Sequence, residues 1–407
     1  MAAFSKRTAW DVRPGELAQA VEALRANGTL LLDLTLSNPT ACGFAYDADA
    51  ILAPLASTQA LLYDPDPHGL LSARESVARY YADHHAQVPP DQIVLTTSTS
   101  EAYSFLFRLM CDPGDAVLVA QPGYPLFDFL ATLDDVVLSN YPLFYDFGWW
   151  IDFAELERSI TPQTRAIVVV HPNNPTGHVT RRTERLLLEA LCVRYQLALI
   201  VDEVFLDYPV DPQPDGVDFG AIESFACGAH PCLTFVVSGL SKICALPQMK
   251  VGWIAAFGPE AARREALSRL EIVADTFLSV NAPMQHVLPQ WLAVRSVMSS
   301  QLRERIRQNL TVLSAAKADG VKYLPVEAGW SAVLRLPSTL LDQGEASLAG
   351  LLLQQTHVLV HPGSFYGMSG KNLAVVSLIV PTEDFKMGIE RLGQLCMDFR
   401  TPQASEC

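Results

Sequence analysis

The chain has 407 residues, half of them hydrophobic and 18% charged, with a formal net charge of −15. That length exceeds what one hydrophobic core usually organises, so two packed units are expected, and the composition excludes a disordered chain. The acidic balance excludes a nucleic-acid partner, because phosphate backbones need clustered Lys and Arg.

Eight cysteines, at 42, 111, 192, 227, 232, 244, 396 and 407, show no CxxC pair or other metal-ligand spacing. No metal is therefore expected, and free thiols in a reducing, cytoplasmic compartment are the better reading. The opening MAAFSKRTAWDVRPGE lacks the apolar centre of a secretion signal, and no stretch is long and uncharged enough to span a bilayer.

A helix is expected over 15–27, then a strand-like LLDLTL before the turn SNPT. From about residue 90, short β-branched runs alternate with helical patterns. IVLTT (93–97) precedes STSEAYSFLFRLMC, AVLVA (116–120) follows the turn DPGD, and AIVVV (166–170) leads into HPNNPTG and a helix from about 181. LALIVD (197–202), TFVVS (234–238) and VGWIAAF (251–257) continue the series. Apolar strands separated by helices imply an α/β fold with a mostly parallel sheet covered on both faces. A long helical stretch from about 284 precedes GWSAVLRLP and LAVVSLIVP, which read as strands of a second sheet. The expected division is 1–50 and 284–407 for a small α+β domain built from both chain ends, and 51–283 for the large domain.

In open parallel sheets, ligands sit beyond the carboxyl ends of the strands. Polar clusters fall at four such ends: Ser98–Ser100, HPNNPTG, Asp202 and SGLSK. Lys242 follows an apolar strand and a tight turn that would limit water, and desolvation frees a lysine amine for Schiff-base formation. Asp202 reads either as a buried ion pair or as the partner of a protonated ring nitrogen. Asn174 belongs to a turn of a common type, yet its amide can also donate into the crevice. Ser98, Thr99 and Ser100 open a helix, where they serve as caps or, with free N–H groups, as an anion site. Tyr124, in QPGYPLF, is a loop aromatic able to lie flat against a planar heterocycle.

Together these residues resemble the aminotransferase class I/II family of fold-type I pyridoxal-phosphate enzymes, over roughly 30–395. The most specific matches are HPNNPTG, DEVF and SGLSKICALPQMKVGW, in the family's order; LTLSNPT, IVLTTSTSEAY and HPGSFYG match more weakly. The resemblance implies a seven-stranded-type sheet and a transaminase acting on a neutral amino acid and a 2-oxo acid. It makes Lys242 the Schiff-base lysine and proton-transfer base, and Asp202 the partner of the pyridine nitrogen. Asn174 is implied at the phenolic oxygen and the substrate, Tyr124 on the ring, Ser98–Ser100 on the phosphate, and Ser37 at the substrate. Tyr63 resembles the tyrosine that reaches a neighbouring subunit's phosphate, which implies a homodimer with shared sites.

Four positions depart from the family pattern: Phe205 replaces a Tyr, Gly239 a Ser, Lys250 a phosphate-binding Arg, and Val375 the Arg that clamps the substrate carboxylate. A lysine keeps the charge but loses the bidentate fork, and losing a bidentate carboxylate contact weakens binding substantially. Arg335, with Lys371 behind it, is the candidate substitute clamp. The missing clamp leaves a lyase, decarboxylase or racemase as alternatives on the same scaffold. A ligand-sensing regulator is a further alternative, although the stretch before residue 30 is short for a DNA-binding domain.

Overall fold

Eight strands form the main sheet of the computed structural model, which describes residues 4–210, 222–343 and 347–399. They are β1 (Ile93–Thr96), β2 (Ala116–Gln121), β3 (Val137–Tyr145), β4 (Trp149–Ile151), β5 (Thr164–Val170), β6 (Ala198–Asp202), β7 (Thr234–Gly239) and β8 (Gly252–Phe257). Their spatial order is β1-β8-β7-β6-β5-β2-β3-β4. The pairs from β3 through β2, β5 and β6 to β7 are parallel, while β8 runs antiparallel to both β7 and β1. The carboxyl ends of β1, β5, β6 and β7 therefore share one edge of the sheet, and the amino end of β8 meets them there. The central strands are buried on both faces, as their continuous Val, Ile and Leu runs require.

The sheet is one strand wider than the expected seven. Six of its eight strands are those read from the sequence, and the other two form the hairpin of β3 and β4, antiparallel through Leu143↔Ile151. Sequence reasoning misses it because β3 alternates exposed and buried positions and contains Pro142, which argues against a strand.

A second sheet, ordered β9-β10-β12-β11, is built from β9 (Lys322–Tyr323), β10 (Ser331–Arg335), β11 (His361–Pro362) and β12 (Leu373–Ser377). Its core draws Leu32 and Leu34 from the N-terminal segment together with Leu302, Leu334, Val376 and Leu392 from the C-terminal one. The strand-like LLDLTL contributes only Leu32–Asp33, paired in parallel with Val358–Leu359. The division expected at 283/284 does not follow the packing. The helix Ala282–Ala293 buries Val287, Leu288 and Trp291 in the core of the large sheet, and the Trp291 indole donates to the Ile51 carbonyl. The small-sheet core resumes with the helix Arg295–Ala315, from Met298 onward, and it also takes Val204, Phe205, Tyr208 and Ala245 from the middle of the chain.

Cys42, Cys111, Cys192, Cys227, Cys232 and Cys244 are free thiols, and Cys407 lies outside the described residues. Among the described residues, no helix is long and apolar enough to cross a membrane, and no group of His, Cys, Asp or Glu could hold a metal ion.

Candidate active site

The shared strand edge opens into a crevice of about 310 Å³ between the two sheets. Lys242 lies in the short helix Leu240–Ile243, directly after β7. Its Nζ stands 5.0 Å from the centre of the Trp330 ring and 5.8 Å from that of Phe205, and the two rings meet edge to face. Burial pushes its pKa below the ordinary lysine value, and the Asp202 carboxylate pulls the other way. Two phenols tie down the turn that carries it: Tyr208 donates to the Lys242 carbonyl and Tyr46 to the Ala245 carbonyl.

Asp202 ends β6, where it is buried. One carboxylate oxygen accepts from the Val204 N–H at 3.0 Å and the other from the Tyr103 hydroxyl at 3.1 Å. Burial still dominates and raises its pKa to about 6. A carboxyl placed so deeply, with two neutral donors, favours a cationic partner. Tyr103 was not singled out in the sequence; its signal is the one-turn spacing from Thr99 in the same helix.

The helix Thr99–Met110 begins at this edge. Ser98 Oγ accepts from the Glu101 N–H, and Glu101 Oε2 accepts from the Thr97 N–H. The capping role is therefore real, and it leaves the first-turn N–H groups of Thr99 and Ser100 without intrahelical acceptors. Ser98, Thr99, Ser100 and Lys250 all line the crevice. Two glycines let β8 close against this turn. A Cβ on Gly252 would fall 2.9 Å from the Ser98 carbonyl carbon, and one on Gly239 would fall 2.8 Å from the Val251 carbonyl oxygen. The glycine at 239 thus has a packing reason: a serine there would press on the backbone of β8.

Within HPNNPTG, the turn is held by Asn173, which accepts from Thr176 Oγ1 and, through its carbonyl, from the Gly177 N–H. Asn174 is consequently not needed for the turn; it lines the crevice, with Ser331 Oγ donating to its Oδ1 at 3.4 Å. The loop is anchored from the small sheet by Glu327, which accepts from Arg181 and, at 3.1 Å, from the Val179 N–H. Glu327 was invisible as a site residue in the sequence, because its role depends on a partner nearly 150 positions away.

Tyr124, Ser37 and Val375 also line the crevice, whereas Arg335 and Lys371 do not. The expected substitute clamp is therefore corrected. Ser331 and Arg335 share a strand face, but four residues along a strand separate them by about 13 Å. Arg335 instead lies over the Tyr145 ring, 5.5 Å from its centre. Its strand, β10, lies between β9 and β12. Tyr63 is 79% exposed in the single chain and contributes to a different surface depression, beside Leu62 and Gln285. Trp330, His361 and Tyr366 complete the crevice without having been foreseen.

A doubly covered α/β sheet with a desolvated lysine at one strand end and a buried carboxylate at the next defines an enzyme built for amine chemistry. The chain belongs to the aminotransferase class I and II family, whose model matches residues 46–392. Alanine aminotransferase of Mycobacterium tuberculosis is 28% identical over 95% of this chain and 90% of its own. Glutamate-pyruvate aminotransferase AlaA of Haemophilus influenzae is 27% identical over 96% of each. The solved structure of an alanine aminotransferase from Pyrococcus furiosus superposes with a TM-score of 0.82 at 21% identity, covering 98% of this chain and all of that one, which establishes the fold. Transfer of an amino group between an amino acid and a 2-oxo acid is accordingly the activity. Elimination, decarboxylation, racemisation and sensing are not favoured. The family is generally dependent on pyridoxal phosphate.

Proposed function

We propose that this aminotransferase holds pyridoxal phosphate on Lys242 and acts on small neutral amino acids, alanine foremost, as a homodimer. The observation that carries this reading is the desolvated amine of Lys242 in one crevice with the buried carboxyl of Asp202. The residues present fit the cofactor. A carboxyl raised to about 6 by burial is satisfied by a cationic ring nitrogen. Gly252 lets β8 close against Ser98, and the first-turn N–H groups of the helix Thr99–Met110, without intrahelical acceptors, suit a phosphate.

When bound, pyridoxal phosphate supplies a carbonyl that condenses with amines and a ring that draws electrons from the adjoining carbon. Lys242, with its lowered pKa, presents a larger fraction of free amine at neutral pH, and that amine moves a proton from the substrate's α-carbon. Asp202 holds the ring nitrogen, with Tyr103 and Val204 fixing its two oxygens. Asn174 donates to the phenolic oxygen through its amide nitrogen, a contact that Phe205 does not share. Ser98, Thr99, Ser100 and Lys250 receive the phosphate, Tyr124 covers the ring, and Ser37 borders the substrate. The exposure of Tyr63 supports its use across a subunit interface rather than within its own chain.

The test is a half-reaction. Mixed with L-alanine alone, the loaded protein is expected to lose the absorbance of its bound carbonyl form and release pyruvate, and a 2-oxo acid should reverse the change. Ammonia release without 2-oxo-acid dependence would contradict the proposal. Sedimentation should find a dimer, and Tyr63→Phe should weaken cofactor retention.

A further inference from the structure

A substrate carboxylate entering this crevice must find a positive or hydrogen-donating partner, because an unpaired charge out of water is costly. Among the described residues, only three that line the crevice can carry positive charge: Lys242, Lys250 and His361. In the reading above, Lys242 engages the carbonyl and Lys250 the phosphate. Both belong to the large-sheet side. His361 is the remaining group able to carry positive charge, and it belongs to the small-sheet wall.

Its position is set by strand pairing. His361 of β11 lies directly opposite Val375 of β12, and Val375 in turn pairs with Val333 of β10. Residues opposed in an antiparallel pair project on the same face with Cβ atoms about 5 Å apart. Val375 offers only methyl groups to the crevice, and the imidazole next to it is the basic group of a wall whose other polar groups include the hydroxyls of Ser331 and Ser377. The ring plane is fixed by Phe365, stacked at 5.0 Å and 10°, and by Tyr366, edge-on at 5.8 Å. Asp33 is the charged group that acts on it from the neighbouring segment, and this carboxylate is itself occupied by the Thr35 N–H and hydroxyl and lies 3.8 Å from Arg25. Burial lowers the His361 pKa, with Asp33 acting in the opposite sense, and in either charge state the ring keeps an N–H donor for an incoming anion.

We propose that His361 is the residue that binds the substrate's carboxylate, in the place beside Val375. This inference rests on the reading of the site given above, and adds that recognition is by a single imidazole donor rather than a two-pronged guanidinium. The bound acid is then held at one point, with Trp330 and Val375 bounding the space around it.

The test compares L-alanine with ethylamine, the same amine without its carboxylate, in the half-reaction of the cofactor-loaded enzyme. His361→Ala should raise the KM for alanine at least tenfold, change the maximal rate far less, and leave the rate constant for ethylamine within twofold. The double variant His361→Ala with Val375→Arg should recover alanine binding, which a structural role for His361 would not permit. An unchanged alanine KM in His361→Ala, or equal losses with alanine and ethylamine, would overturn the proposal while leaving the transaminase reading intact. Absence of a half-reaction with every amino acid in the wild type would overturn both.

Discussion

The Tyr208 hydroxyl donates to the backbone carbonyl of Lys242 at 2.5 Å, so the turn bearing the reactive amine is fastened to the segment that follows Asp202. The same carbonyl also receives the Ala245 N–H at 3.2 Å. Tyr208→Phe should therefore destabilise the protein by only about 0.5–1.5 kcal/mol, the net worth of one hydrogen bond. It should slow the half-reaction more than it weakens folding suggests. Urea unfolding and stopped-flow absorbance on the same variant check both effects.

Glu327 joins the small sheet to the loop that presents Asn174. Its side chain is 2% exposed and that of Arg181 is 21% exposed. Glu327→Gln keeps the acceptor for the Val179 N–H but removes the charge facing Arg181. A loss of about 2 kcal/mol is expected, below the figure for a fully buried pair because Arg181 reaches solvent. The KM for the amino acid should rise as the Asn174 loop loosens. A variant with wild-type stability and KM would show that the loop holds itself.

Gly252→Ala places a methyl group where the Ser98 carbonyl carbon stands 2.9 Å away and Thr96 Oγ1 3.1 Å away. The clash is with backbone, so the first turn of the helix Thr99–Met110 must move, at a cost of about 1–3 kcal/mol. Cofactor affinity should fall at least tenfold, measured by equilibrium dialysis of pyridoxal phosphate. Unchanged affinity would mean that the phosphate sits elsewhere.

The buried carboxyl of Asp202 gives a pH signature. Its folded pKa of about 6 lies above the ordinary 3.8, so the folded protein holds this proton more tightly than the unfolded chain does. The resulting penalty is absent below about pH 4, grows between 4 and 6, and is complete above 6. Asp202→Asn should therefore stabilise the cofactor-free protein at pH 7.5 by up to about 3 kcal/mol, at about 1.4 kcal/mol per pKa unit, and hardly at all at pH 4. Thermal unfolding at the two pH values decides; equal shifts at both would contradict the assignment. With cofactor bound, the same substitution should be destabilising, because the ring nitrogen loses its counter-charge.

The central strands and the residues at their ends were legible because they depend on local pattern. A continuous Val and Ile run fixes a doubly covered strand, and strand direction then gathers Asp202, Asn174, Ser98 and Lys242 at one edge. What failed depended on distance or register. The hairpin of β3 and β4 was hidden by its half-exposed strand. The charge of Arg335 suggests a clamp, but its place four residues beyond Ser331 carries it to Tyr145. His361 was overlooked because only the pairing of β11 with β12 sets it beside Val375. Trp330, whose buried indole nitrogen has no hydrogen-bond partner among the described residues, takes its place in the site from packing against Phe205 and Lys242, which no local pattern encodes.

Chemical trapping of the amine at Lys242 tests most directly whether that lysine carries the cofactor. The protein is incubated with pyridoxal phosphate, reduced with borohydride, digested and analysed by mass spectrometry. One stoichiometric phosphopyridoxyl adduct is expected, on the peptide containing Lys242, abolished by Lys242→Ala and prevented by prior treatment with L-alanine. An adduct on Lys250 or another lysine, or none at all, would contradict that assignment.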